Sequence, residues 1–235
     1  MHGIDFITVS RNPERVAALE RSISLSLGPI IPSQLTVVDG NQHDLFTGYN
    51  AGIAKTSAEI LVFVHDDVSL MCNSLAFGRP VQMLLQDQHC GFIGTVGSRL
   101  LDRTGTWWGD ELPPQQAAMV SRGMIFQRGN NEFGMRTYVW PAGAADFGQV
   151  LVIDGLFLMC HRRTIEKING FDSAGFKGFH YYDIDTTFRA HQLGLRNYVA
   201  PIPMLHESRG SYGEEWDKNR KIFVEKHKAA LPVSL

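Results

Sequence analysis

The chain has 235 residues, 44% of them hydrophobic and 20% charged, with a net charge of −2. That length can bury a full core in one large domain. The near-neutral balance excludes a general nucleic-acid binder, which carries a basic surplus. Three cysteines, Cys72, Cys90 and Cys160, stand at unrelated spacings. They form neither a zinc pattern nor a disulfide framework, which fits a reducing compartment. Met1-His2-Gly3-Ile4-Asp5 lacks the basic and apolar regions of a signal peptide. No apolar run approaches the roughly 20 residues needed to cross a bilayer. We therefore expect a soluble, cytoplasmic protein.

Ile4-Asp5-Phe6-Ile7-Thr8-Val9-Ser10 is a strand candidate, stopped by Arg11-Asn12-Pro13. Pro13 suits the first turn of a helix, and Val16, Leu19, Ile23 and Leu27 recur at helical spacing up to Gly28-Pro29. Gln34 to Val38 is a second strand, ended by Asp39-Gly40. A helix through Tyr49-Asn50-Ala51-Gly52-Ile53-Ala54-Lys55 leads to a third strand, Ile60 to Val64, whose five apolar residues run straight into His65-Asp66-Asp67. This βαβαβ order predicts a parallel sheet with helices on both faces. Ligands of such sheets bind beyond the carboxyl ends of the strands. Three polar segments fall there: Ser10-Arg11-Asn12, Asp39-Gly40-Asn41 and His65-Asp66-Asp67. Each alone reads equally as turn chemistry. No Gly-rich loop follows the first strand, so a nucleotide bound here needs another counter-charge for its phosphates. A divalent cation on Asp67 would supply it.

The βαβαβ start, the Asp ending the second strand, the Tyr-Asn-Ala-Gly segment and the acidic pair after the third strand resemble a GT-A glycosyltransferase, nearest the family 2-like enzymes. The resemblance implies an α/β fold with a Rossmann-like, mostly parallel sheet flanked by helices. It implies one domain over residues 1–235: a nucleotide-sugar-binding half (1–98), an insertion (99–149) and an acceptor and catalytic half (150–235). It places Ser10, Arg11 and Asn12 along the base, Asp39 on base or ribose, Asn50 within the donor-binding half and Asp66 towards the ribose. It makes Asp67 the ligand of a divalent cation, Mn2+ or Mg2+. The sequence departs from the family's acidic motif at its first position, which is His65.

Pro80 to Gln86 reads as a helix and Cys90 to Gly97 as a strand. From Arg99 to Gln149 the periodicity breaks down, and an excursion of that length is either functional or packed by its own side chains. Trp107, Trp108 and Asp110 are candidates for acceptor contact, since aromatic faces suit sugar rings and apolar lipid stems. Val150 to Met159 is a long apolar strand interrupted by Asp154-Gly155. A carboxylate there needs a reason: either a bulge whose Asp pairs with an Arg, or a substrate site that Gly155 lets a ligand approach.

Arg162-Arg163 begins a short helix to Gly170. Ile184, Phe188 and Leu193 give a further helix, with Asp183 at its start and Asp185 placed to reach Arg189 at the i,i+4 spacing. Asp183 is either an N-terminal cap or more. Gly170-Phe171-Asp172, the acid-rich helix start and Gly194-Leu195-Arg196 resemble the family region that carries the base of inverting members. That would make Asp183 the base, kept ionised by the helix dipole, with Tyr182 where the family has Glu. His206 resembles the late His that returns to the metal, and Arg209 would meet the diphosphate.

Tyr212 to Ala230 reads as a helix whose Lys218, Arg220, Lys221, Lys226 and Lys228 form a solvated basic face, or else hold the protein loosely at the inner face of a membrane through anionic lipid. The expected function is metal-dependent, inverting hexosyl transfer from a nucleotide sugar to a carbohydrate or lipid-linked acceptor, in polysaccharide or glycoconjugate synthesis. The alternatives are a catalytically silent sugar-nucleotide-binding protein and a nucleotidyltransferase.

Overall fold

The computed structural model describes residues 3–108, 120–128, 135–139, 147–208 and 212–235. β1 (Ile4–Ser10), α1 (Pro13–Leu27), β2 (Ser33–Asp39), α2 (Leu45–Ala54) and β3 (Ile60–Val64) form the expected βαβαβ unit. β1 pairs in parallel with β2 on one side and β3 on the other. Asn12 starts α1 by accepting hydrogen bonds from the Glu14 and Arg15 amides, with Pro13 in the first turn. Asp44 starts α2 by accepting from Thr47 N, so this helix begins earlier than the Tyr49 segment suggested. β4 (Val68–Leu70) and α3 (Ser74–Gln86) follow. α3 also starts before the expected Pro80, because Asn73 caps Ala76 N and the proline lies inside the helix.

The expected strand from Cys90 to Gly97 is two strands, β5 (Cys90–Gly94) and β6 (Val96–Ser98), which join different sheets. β7 (Leu100–Leu101), β8 (Ser121–Arg128), β9 (Met135–Val139) and β10 (Gly148–Val150) come next. The apolar run after Val150 likewise divides, into β11 (Val152–Ile153) and β12 (Phe157–His161), with Asp154-Gly155 as the turn between them. The chain closes with α4 (Arg162–Ile168), α5 (Tyr182–Gln192), β13 (Arg196–Val199), β14 (Met204–His206), α6 (Glu214–His227) and β15 (Val233–Ser234).

The main sheet has the order β2-β1-β3-β12-β5-β13-β10. β12 runs antiparallel to both β3 and β5, and β10 antiparallel to β13; the other five strands are parallel to one another. Every residue of β3 is buried, as expected of a central strand covered on both faces. Ile60, Val62 and Val64 face a core with Leu19, Ile23 and Leu27 of α1 and Phe77 and Leu84 of α3. Leu61 and Phe63 face the opposite core, with Phe46 and Tyr49 of α2 and Tyr182, Ile184 and Phe188 of α5. This alternation of faces explains an unbroken apolar run.

A second sheet, β11-β6-β8-β14-β4, carries β9 on β8. Residues 99–149 are thus not wholly an appendage: β8 lies between β6 and β14. Gly123 makes this possible. It has φ +105°, and any side chain there would run into the Thr95 carbonyl. β14 pairs antiparallel with β4, setting His206 opposite Val68, next to Asp67.

Asp185, on α5, is fully buried. It accepts from Arg189 Nε at 2.7 Å, the pair foreseen from their spacing, and also meets Lys226 Nζ at 2.7 Å and His227 Nε2 at 2.9 Å on α6. Lys226 therefore turns inward. Arg220 and Lys221 pair with Asp217, and Lys228 with Glu225. The cations of α6 are largely balanced within the protein. No helix among the described residues is long and apolar enough to cross a membrane.

Candidate active site

Because β1, β2 and β3 are parallel, their polar ends share one edge. The edge is tied together before any ligand arrives. Arg11 Nε donates to the Gly40 carbonyl at 2.7 Å, and Gly40 N donates to the Ser10 carbonyl at 2.9 Å. Ser10 Oγ donates to Asp66 Oδ2 at 2.5 Å, and Arg15 Nη1 reaches Asp66 Oδ1 at 3.4 Å. Asp66 thus faces the first strand and α1, with both oxygens engaged, where an open approach to a ribose was expected. Asn12 is taken up as the α1 cap. Asp39 is exposed and holds a turn by accepting from Asn41 N and Nδ2, each at 2.9 Å. Those hydrogen bonds hold its carboxyl below the usual range.

Asn50 has a different task from the one expected of it. Its amide donates to the Phe171 carbonyl at 2.8 Å and accepts from Phe171 N at 3.0 Å. It fastens α2 to the Gly170-Phe171 turn. Arg209 lies outside the described residues.

Beyond β3 the edge changes character. His65, Asp67 and His206 bring one ligand atom each to within 4.8 Å of one another. Asp67 Oδ1 lies 3.3 Å from His206 Nε2, and the Asp67 carbonyl accepts from Glu207 N at 3.0 Å. Burial alone would raise the Asp67 carboxyl. The hydrogen bond and charge of His206, with His65 and Ser208, outweigh it and hold the group at about 2. Burial and the adjacent His206 push His65 down to about 3, so its ring is neutral at pH 7, the form that binds metals. His206 Nε2 faces Asp67 and Ser208, and its Nδ1 is buried with no hydrogen-bond partner among the described residues.

Two imidazoles and a carboxylate suit a first-row transition cation such as Mn2+ better than Mg2+, which prefers oxygen ligands. Asp67 and His206 were expected here. His65 was expected only as a departure from an acidic motif, yet it belongs to the group.

The start of α5 closes the site from the other side. Tyr182 Oη lies 2.6 Å from His65 Nε2, though the two residues are 117 positions apart. Asp183 is not a cap: α5 has no side-chain cap at all, and Tyr181 precedes it with φ 68°. Instead Asp183 Oδ2 accepts from Gly155 N at 2.7 Å. The expectation that the helix dipole keeps Asp183 readily ionised is corrected as well. Burial first, then the nearby Asp154 carboxylate, push it up to about 7, against the backbone hydrogen bonds of Ile184 and Gly155. The loss of water around the carboxyl outweighs the dipole.

Asp154 accepts from Leu156 N at 3.1 Å. No Arg pairs with it among the described residues, so the bulge-and-arginine explanation for this acid has no support. Burial, partly offset by the Leu156 amide and then by His206, raises its carboxyl too. The space above Gly155 is filled by the protein itself. A Cβ there would strike the Tyr182 ring and come within 2.7 Å of Asp183 Cβ, so this glycine admits α5 rather than a ligand.

Trp107 and Trp108 are half-buried and stack edge to face at 5.7 Å. Trp108 also contacts Tyr212 and Trp216, and Trp216 meets Tyr181, two residues before Asp183. These rings form one aromatic cluster that joins Trp107 and Trp108 to α6 and to the residue preceding α5. Asp110 lies outside the described residues. Tyr182, His65 and Trp216 are the participants that sequence reasoning did not assign. A Tyr where a Glu was expected was the available signal for one of them.

A parallel sheet with an antiparallel β12 beside β3, and a cation-holding edge completed by a distant helix, is the architecture of GT-A glycosyltransferases. Solved structures bear this out at the level of fold. GalNAc-T7 with UDP, GalNAc and Mn2+ superposes with a TM-score of 0.62 at 11% identity, over 94% of this chain and 48% of that one. The mannosyltransferase PcManGT of Pyrobaculum calidifontis with GDP-Man and Mn2+ gives 0.54 at 10%, over 98% and 70%. A Drosophila galactosyltransferase 7 mutant with manganese, UDP-Gal and xylobiose gives 0.50 at 11%, over 85% and 65%. The chain spans about half the length of the first of these. No curated protein matches it significantly. The profile of the Glycosyltransferase like family matches residues 6–227, and the chain belongs to that family.

Proposed function

We propose that this protein transfers a hexosyl group from a nucleotide sugar to an acceptor hydroxyl by single displacement with inversion. The observation that carries this reading is the meeting, at one sheet edge, of a His65-Asp67-His206 group with a carboxylate of raised pKa, Asp183. The fold neighbours support it, since all three hold manganese and a nucleotide or nucleotide sugar.

Asp39 and the Ser10-Arg11-Asn12 turn receive the base and ribose. Asp67, His206 and His65 would hold a divalent cation, which when bound would stabilise the charge growing on the leaving diphosphate. Asp183 accepts the proton of the acceptor hydroxyl as its oxygen bonds to the anomeric carbon and the bond from that carbon to the diphosphate oxygen breaks. A carboxyl near 7 is well matched to that work, because general-base efficiency peaks when the pKa lies near the working pH. Trp107, Trp108 and Trp216 supply the acceptor face, with Asp154 beside the base.

The division into a donor half (1–98), a middle segment (99–149) and an acceptor half (150–235) follows from this assignment, as does a place in polysaccharide or glycoconjugate synthesis. The test is release of nucleoside diphosphate from a panel of sugar nucleotides, with and without Mn2+. Turnover of one donor, dependent on Mn2+ and acceptor, is expected. A donor that binds but is never turned over would mean a catalytically silent binding protein instead.

A further inference from the structure

The two positions at which the sequence departs from the family pattern, His65 and Tyr182, touch each other, with Tyr182 Oη 2.6 Å from His65 Nε2. Tyr182 has no room to do otherwise, and His65 is held from its backbone. Tyr182 is 2% exposed and its ring packs against Tyr49, Phe46 and Phe171. The His65 backbone is fixed by its amide donating to the Leu156 carbonyl at 3.1 Å. Gly155 lets Tyr182 reach this place, since a side chain there would occupy the position of the phenol.

A neutral imidazole carries one N–H and one free lone pair. With one ring nitrogen facing the phenol, the other is left for a cation. Metal-bound histidines depend on such a partner for tautomer and ring orientation. The phenol belongs to the residue immediately before Asp183.

We propose that Tyr182 is a positioning residue for the cation site: its hydroxyl fixes the His65 ring, so that cation binding and the placement of Asp183 are mechanically linked. The proposal rests on the cation-dependent reading above. In chemical terms, His65 donates its N–H to the phenolic oxygen when a cation occupies the other nitrogen. His65 and Tyr182 would together tie a bound cation to the first turn of α5, so loss of either side chain should loosen the base as well as the metal.

The experiment is a double-mutant cycle on Mn2+ affinity, read from the free-Mn2+ electron paramagnetic resonance signal, without donor or acceptor. Tyr182→Phe keeps the ring and its packing and should weaken Mn2+ about 10- to 100-fold, the usual effect of removing such a partner. In a His65→Ala background the same change should alter affinity by less than about twofold, since coupled residues lose their interaction together. A Tyr182→Phe variant that binds Mn2+ as tightly as wild type overturns the proposal. So does a full-sized loss that persists without His65. Wild-type protein that binds no Mn2+ would overturn the cation-dependent reading itself, which separates the two failures.

Should Tyr182→Phe not fold, the imidazole 15N spectrum of wild type with and without Cd2+ decides the matter. One His65 nitrogen should shift while the other keeps its proton, and a spectrum in which neither nitrogen shifts sinks the proposal.

Discussion

The ends of β1 and β2 and the junction of His65, Asp154-Gly155, Tyr182 and His206 lie at one edge of the molecule but are built in opposite ways. At the first, Asn12 and Asp39 find partners near in sequence, Asn12 capping Glu14 and Arg15 and Asp39 holding Asn41, while Arg11–Gly40 and Ser10–Asp66 tie the strand ends to one another. Asp39 stays exposed and acidic. At the second, partners are distant: His65 meets Tyr182 and Asp67 meets His206. Water is largely displaced there and pKa values move far, with His65 at about 3, Asp67 at about 2 and Asp183 at about 7. Turns and caps at the first leave acidity near its ordinary range, whereas the packing at the junction creates groups with unusual acidity, which is where chemistry is expected.

That contrast can be broken most decisively at Asp183. Asp183→Asn should lower turnover by about 10²- to 10⁴-fold, the usual contribution of a general base, while donor binding at the strand ends is retained. In the wild type, turnover should rise with pH through about 7, because the base acts only when ionised. The sign for stability is the reverse. The folded pKa lies above the ordinary carboxyl value, so the protonated form is favoured by folding and stability is lost as pH rises from about 4 through about 7. Asp183→Asn should accordingly raise the melting temperature more at pH 8 than at pH 5. A variant of full activity would remove the carboxylate from the mechanism.

Next in size is the buried ion cluster behind the junction. Asp185→Ala leaves Arg189, Lys226 and His227 without their shared carboxylate and should cost about 3–5 kcal/mol in a urea titration. A loss below 1 kcal/mol would show that α5 is held mainly by apolar contacts. Smaller still is the local edge. Asn12→Ala removes the α1 cap and should cost about 1 kcal/mol, with little change in Mn2+ affinity. A large change in Mn2+ affinity would erase the distinction between the two regions.

Much of the βαβαβ half was legible because its signals are short-range. Five apolar residues before His65, the Asn12-Pro13 start and the strand-end acids need only neighbours to be understood. The divided strands at Thr95 and at Asp154-Gly155 were not legible, because an apolar run does not reveal which sheet each part will join. Asn50 was assigned to the donor for want of any sign of Phe171, 121 positions away. His65 was set aside because its partners, Tyr182 and His206, are equally remote.

The sequence by itself determined the βαβαβ order of the first half, the polar strand ends and the family resemblance, and it singled out Asp67, His206 and Asp183 as candidates. Only the tertiary structure decided that His65 joins the cation group, that Gly155 exists to admit Tyr182, and that Asp183 is raised rather than kept acidic. The reason is physical. Hydrogen bonding in turns and caps acts within a few residues, but desolvation depends on everything that packs around a group. That packing is completed by β12, β14 and α5, which the chain supplies long after β3.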